Sequence, residues 1–162
     1  MHNLNALLRY VPLAWDPILC GSAVMAELGM RDVRDLDLLV PDEILACLAS
    51  GLLPPGCRPR PVETDEPNPY PDARTLIRLT TDAGAIDVFS ELPRVGPLYP
   101  DTAPRATRLV LGVPPPQPGG WQVLAPEIVM AIKCLVPRNH PKFARHMADV
   151  AALAAAHSRG QW

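Results

Sequence analysis

The chain has 162 residues, a net charge of −2, 48% hydrophobic and 20% charged residues, enough for one domain with a buried core. Aromatic residues are only 5%, so that core must be aliphatic. Twenty-one prolines exclude an all-helical bundle, because an interior proline removes a helix hydrogen bond and clashes with the preceding turn. They follow no period and apolar stretches separate them, which excludes collagen-like and fully disordered chains.

A net charge near zero excludes binding to nucleic acid through bulk charge alone. The charge is unevenly spread: the balance is −6 over residues 1–100 and +4 over residues 101–162. That suits a site pairing metal-binding carboxylates with phosphate-binding cations, although solvated surface gives the same pattern. Cys20, Cys47, Cys57 and Cys134 form no CxxC pair, so a zinc cluster is not expected. Three of them sit in apolar runs and read as small core residues. The N-terminus does not read as a secretion signal, and no apolar run reaches the length of a membrane span. A cytoplasmic protein with no membrane partner is the expectation.

In chain order, Asn3–Tyr10 reads as a short helix and Pro17–Cys20 as a buried strand ending at Gly21. Ser22 is placed to cap a helix over Ala23–Leu28, closed by Gly29. Leu36–Val40 reads as a second strand that Pro41 stops, and Asp42 can cap a helix over Glu43–Ala49. The proline-rich stretch 51–72 reads as a surface excursion. Thr75–Thr80 and Ala85–Phe89 alternate as strands around a turn at 81–84. Loops at 92–104 and 114–120 flank a strand at Ala106–Leu111, and Trp121–Leu124 is a last short strand. Pro126 opens a helix to about Leu135 and Pro141 one to about Ala156. The expected class is α/β in the broad α+β sense, a mixed β-sheet with flanking helices.

Three features could carry chemistry. Gly21-Ser22 lies between a strand and a helix, where free backbone N–H groups favour a phosphate and glycine allows close approach; an ordinary turn with a serine cap is the plainer alternative. In Asp35-Leu36-Asp37 the two carboxylates project from one face of a strand and Leu36, Leu38 and Val40 from the other. Two such acids repel unless a cation lies between them, and Mg²⁺ prefers oxygen ligands; solvated acids paired with Arg31 or Arg34 would also account for them. Asp87 sits inside the apolar strand Gly84–Phe89, costly unless paired or metal-bound.

Taken together, apolar strand, Gly-Ser, helix, Asp-x-Asp and a later strand Asp resemble the DNA polymerase β-like nucleotidyltransferase superfamily. The stretch Ile18–Val40, ILCGSAVMAELGMRDVRDLDLLV, carries most of that resemblance. Lys133 in APEIVMAIKCL, and Lys142, Arg145, His146 and Asp149 in KFARHMADVAAL, look like the small stand-alone branch related to abortive-infection toxins, where a helical Lys and a later Asp join the site. The resemblance implies a single minimal nucleotidyltransferase domain over 1–162, with a catalytic core at about 15–112 and a C-terminal helical part at about 125–157.

The same resemblance implies Mg²⁺-dependent transfer of an NMP from an NTP to a hydroxyl. Asp35, Asp37 and Asp87 would act as catalytic ligands of two Mg²⁺ ions, and Gly21, Ser22, Arg34 and Lys133 would bind the nucleotide. Phe143, Met147 and Val150 are expected to face the core, leaving Lys142, Arg145 and Asp149 at the rim. The basic segment from Lys133 to His146 leans the acceptor towards RNA, tRNA above all, and the toxin branch implies a cognate antitoxin. An antibiotic or protein acceptor, or an inactive nucleotide- or partner-binding module of the same fold, are the alternatives. His140 and His146 read as solvated histidines beside a proline turn.

Overall fold

A computed structural model describes residues 2–60, 76–92, 96–97 and 121–161. Helix α1 (His2–Leu8) leads through a 3₁₀ turn at Leu13–Trp15 into strand β1 (Ile18–Cys20). Next come α2 (Gly21–Glu27), β2 (Asp35–Leu39), α3 (Asp42–Ala49) and β3 (Arg58–Arg60). The hairpin β4 (Ile77–Thr81) and β5 (Gly84–Phe89) follows, then a separate antiparallel ladder of β6 (Glu91–Leu92) and β7 (Gly96–Pro97). Strand β8 (Gln122–Val123), α4 (Pro126–Cys134) and α5 (Phe143–Ser158) complete the described elements.

Six strands form one mixed sheet in the order β3-β4-β5-β2-β1-β8. Strand β2 is central, running antiparallel to β1 and parallel to β5. The expected mixed sheet with flanking helices is therefore the observed fold class.

Register sorts the side chains of β2 onto two faces, because paired residues share a face and successive ones alternate. Leu36 pairs with Ile86 and Leu38 with Val88. With Leu19, Val40 and Leu79 they pack beneath Leu4, Leu7 and Leu8 of α1 and Leu45 and Leu48 of α3. The opposite face holds Ile18 and Cys20 paired with Leu39 and Asp37. Here Val24 and Met25 of α2, Val129 of α4 and Leu153 of α5 cover the β1 end. Helix α2 serves both clusters, Ala23 and Ala26 facing one and Val24 and Met25 the other.

Several local expectations are corrected. Ser22 is not an N-cap: α2 starts at Gly21, the cap position is Cys20, and the Cys20 side chain makes no cap hydrogen bond. Asp42 likewise lies in the first turn of α3, behind Pro41. The proline-rich excursion contributes β3, an edge strand paired with β4, where a proline is tolerated. Pro141 precedes α5, which starts at Phe143. The buried stripe of α5 is Asp149, Leu153 and Ala156, one position away from the expected Phe143, Met147 and Val150, which are only half-buried. Of the cysteines only Cys20 is buried; Cys47 and Cys134 are exposed and all four are free thiols. The strand expected at Ala106–Leu111 and the loop at 114–120 lie outside the described residues.

Candidate functional site

The site forms where β1 hands over to α2 against β2. Gly21 has φ +54, and a Cβ there would stand 2.0 Å from Asp37 Oδ2. Only glycine meets both demands, the left-handed backbone and the carboxylate lying on its Cα. The backbone N–H of Ser22 donates to the Asp37 carboxylate, so the first free donor of α2 is met by an anion from the chain itself. The Ser22 hydroxyl donates to the backbone carbonyl of Asp35 at 3.1 Å. This buried serine therefore ties α2 to the start of β2.

Asp37 pairs with Asp87 across β2 and β5, and Asp35 with Ala85, so all three carboxylates project from one face of the sheet. Burial, then the charges of Asp87 and Asp35, pushes Asp37 up to about 7; Lys133 and the Ser22 N–H act against this. Asp87, itself buried, is gripped by Arg78 through two parallel hydrogen bonds, Nε to Oδ1 and Nη2 to Oδ2, at 2.5 Å each. That fork is the bidentate geometry in which arginine holds a carboxylate most firmly, and it raises the Arg78 guanidinium further above its ordinary range.

A second charged cluster stands between α4, α5 and the loop after α2. Buried Lys133 donates to Asp149 Oδ2 at 2.7 Å, and Arg31 Nη1 donates to Asp149 Oδ1 at 3.0 Å. Asp149, expected at the rim, is thus the buried shared acceptor of two cations. His146, on the same helix, is lowered to about 4, first by burial and then by the positive charge of Lys133. His140 is buried and accepts from the backbone N–H of Lys142 at its Nδ1, so neither histidine is a solvated one.

The sequence-derived residues are thus partly gathered. Gly21, Ser22, Asp35, Asp37 and Asp87 come together, and Lys133 is close enough for its charge to act on Asp37. Arg34 is exposed; its backbone carbonyl, not its side chain, lies against Gly84. Arg145 is exposed and Lys142 half-buried. Because Lys133 is buried, the basic segment is not one continuous surface.

Arg78 escaped sequence reasoning, and so did the partner of Arg31, which is Asp149 and not Asp35 or Asp37. Arg78 was within reach of it: the turn pairs Thr81 with Gly84, and counting back sets Arg78 opposite Asp87. The pairing of Arg31 was not, since Asp149 lies 118 residues away.

Among the described residues, no three His, Cys, Asp or Glu side chains already stand as a metal shell. Asp37 is turned to the Ser22 N–H and Asp87 to Arg78. The donor set nevertheless suits Mg²⁺. It is all carboxylate oxygen, burial and then its like charges hold Asp37 near 7, and each Asp87 oxygen keeps a further lone pair beside the one Arg78 takes. No family model and no curated protein matches this chain.

Proposed function

We propose that the acid face of the sheet is the site of an Mg²⁺-dependent nucleotidyltransferase that moves an NMP from an NTP to a hydroxyl. The observation that carries this reading is the register of Asp35, Asp37 and Asp87 on one face, beside a glycine whose backbone admits Asp37 where a Cβ would collide. Asp35 and Asp37 would hold both ions and Asp87 the one nearer the acceptor. When bound, such ions stabilise the attacking and leaving oxygens of an in-line phosphoryl displacement.

The chain's own residues set up that displacement. Ser22 fixes the start of β2 through the Asp35 carbonyl, so Asp35 and Asp37 keep their spacing. Arg78 holds Asp87 in one orientation through its two parallel hydrogen bonds. Lys133 supplies positive charge towards the same face, and would offset the charge of the triphosphate. In the reaction the acceptor hydroxyl gives up its proton to water, its oxygen forms a bond to the α-phosphorus, the bond from that phosphorus to the oxygen bridging to the β-phosphate breaks, and pyrophosphate leaves with that oxygen. The Ser22 hydroxyl and N–H are already committed, which moves the burden of phosphate binding from the Gly-Ser turn to the cations across the site.

The acceptor is proposed to be RNA, with tRNA the first to try, on the exposed Arg138 and Arg145 beside half-buried Lys142. The test supplies an NTP labelled at the α-phosphate, Mg²⁺ and total RNA, and follows both label in RNA and pyrophosphate release. The reading expects both products from wild type and neither from Asp37→Asn. Pyrophosphate release without labelled RNA would redirect the acceptor to a protein or an aminoglycoside. No release from any of these acceptors would overturn the reading in favour of an inactive nucleotide- or partner-binding module.

A further inference from the structure

We propose that Arg31 and Lys133 form a polyphosphate-binding pair held in place by Asp149, with Arg31 as a binding residue rather than a surface ion-pair partner. The inference deepens the nucleotidyltransferase reading and rests on it for the identity of the ligand, a nucleoside triphosphate whose phosphate chain the pair would take.

The argument starts from donors that have no acceptor. A lysine ammonium has three N–H donors, and a buried one should find an acceptor for each. The Lys133 side chain is only 7% exposed, and among the described residues it has one hydrogen-bond acceptor, Asp149 Oδ2. Arg31 repeats the pattern. Its Nη1 reaches Asp149 Oδ1, while its Nε is buried with no hydrogen-bond partner among the described residues. Leaving buried donors unmet costs free energy, so their retention side by side needs an explanation.

Charge points the same way. Two cations share one carboxylate, so the group carries a surplus positive charge. Of the two cations, Lys133 is the one near enough to the acid face for its charge to reach Asp37. A multiply charged anion beside the pair would meet the spare donors of Lys133 and the open part of the Arg31 side chain, which is 26% exposed. Asp149 fits a positioning role: each of its oxygens holds one cation, which fixes their separation. The Gly21-Ser22 turn cannot do the same work, because its serine donors are spent on Asp35 and Asp37.

Inorganic tripolyphosphate is the probe, since it carries the phosphate chain without base or sugar. Its binding is measured by titration calorimetry with EDTA present, to wild type, Arg31→Gln, Arg31→Lys and Asp149→Asn, each with a thermal melt. Wild type is expected to bind, and Arg31→Gln to bind about tenfold or more weakly, the loss of one charge-assisted hydrogen bond. Arg31→Lys keeps a charge for Asp149 but loses the fixed fork. It should regain the melting temperature and not the affinity, a split that a purely structural salt bridge would not give. Asp149→Asn should weaken tripolyphosphate as well. Unchanged affinity in Arg31→Gln, or full recovery of affinity in Arg31→Lys, overturns the inference. Tripolyphosphate binding does not depend on transfer. A protein that binds it through Arg31 yet transfers no NMP would sink the enzymatic reading and leave the pair standing; one that transfers with Arg31→Gln at wild-type KM for NTP would do the reverse.

Discussion

On one face of β2, Leu36, Leu38 and Val40 are fully buried against α1 and α3. On the other, Asp35 and Asp37 stand half-buried beside Asp87 and Arg78. A single alternating segment therefore builds both the centre of the core and the floor of the site. The apolar face gains from every atom removed from water. The acid face carries buried like charges, which work against folding in the absence of a counter-ion.

Substitutions on the two faces should separate stability from activity, beginning with the largest effect. Leu38→Ala removes a fully buried side chain and is expected to cost about 2–5 kcal/mol, read by urea denaturation. A cost below 1 kcal/mol would mean that this face is not the core.

Arg78→Met leaves the buried Asp87 carboxylate without its fork. About 1–3 kcal/mol of stability should go with it, and Asp87→Asn added to it should return part of the loss by removing the stranded charge. Equal melting temperatures for wild type and Arg78→Met would show that the pair does not hold the site.

Asp37→Asn should behave in the opposite sense. Above pH 4 or so the unfolded chain releases this proton, whereas the folded chain holds it up to about 7. The folded state then binds more protons, and stability falls as pH rises through that window. Without Mg²⁺ the variant is therefore expected to be more stable than wild type at pH 8, by about 1–3 kcal/mol, with the difference vanishing below pH 4. His146 contributes with the other sign in both proteins: folded at about 4, it costs stability as pH falls, so only the difference between variant and wild type reports on Asp37.

Ser22→Ala gives the smallest effect. It loses one hydrogen bond to the Asp35 carbonyl, about 0.5–1.5 kcal/mol, and because the Ser22 N–H remains, Asp37 should keep its place. A melt and an NTP titration on the same sample check both points.

What was legible in the sequence follows the same division. Strand alternation placed Asp35 and Asp37 on one face, because period is a local property; Asp87 was joined to them by the resemblance, and its face is set by the long-range pairing of β5 with β2. Gly21 could be singled out, but its reason could not: the collision with Asp37 arises only once β1 and β2 pair. Ser22 looked like a cap because serine is a preferred N-cap residue whose oxygen accepts from a first-turn N–H; here its hydroxyl instead donates across the fold to the Asp35 carbonyl. The Asp149 stripe was hidden since a charged residue was taken for the solvent side of α5, whereas two partners from distant segments bury it.

Manganese binding tests the central claim most directly. Mn²⁺ takes the oxygen ligands of Mg²⁺ and can be followed by its paramagnetic signal as protein is added, with no acceptor or product required. Wild type is expected to bind Mn²⁺, more tightly when an NTP is present, and Asp37→Asn to lose that binding while staying folded. Equal Mn²⁺ binding by wild type and Asp37→Asn, with or without NTP, would contradict the assignment of the acid face as a metal–nucleotide site.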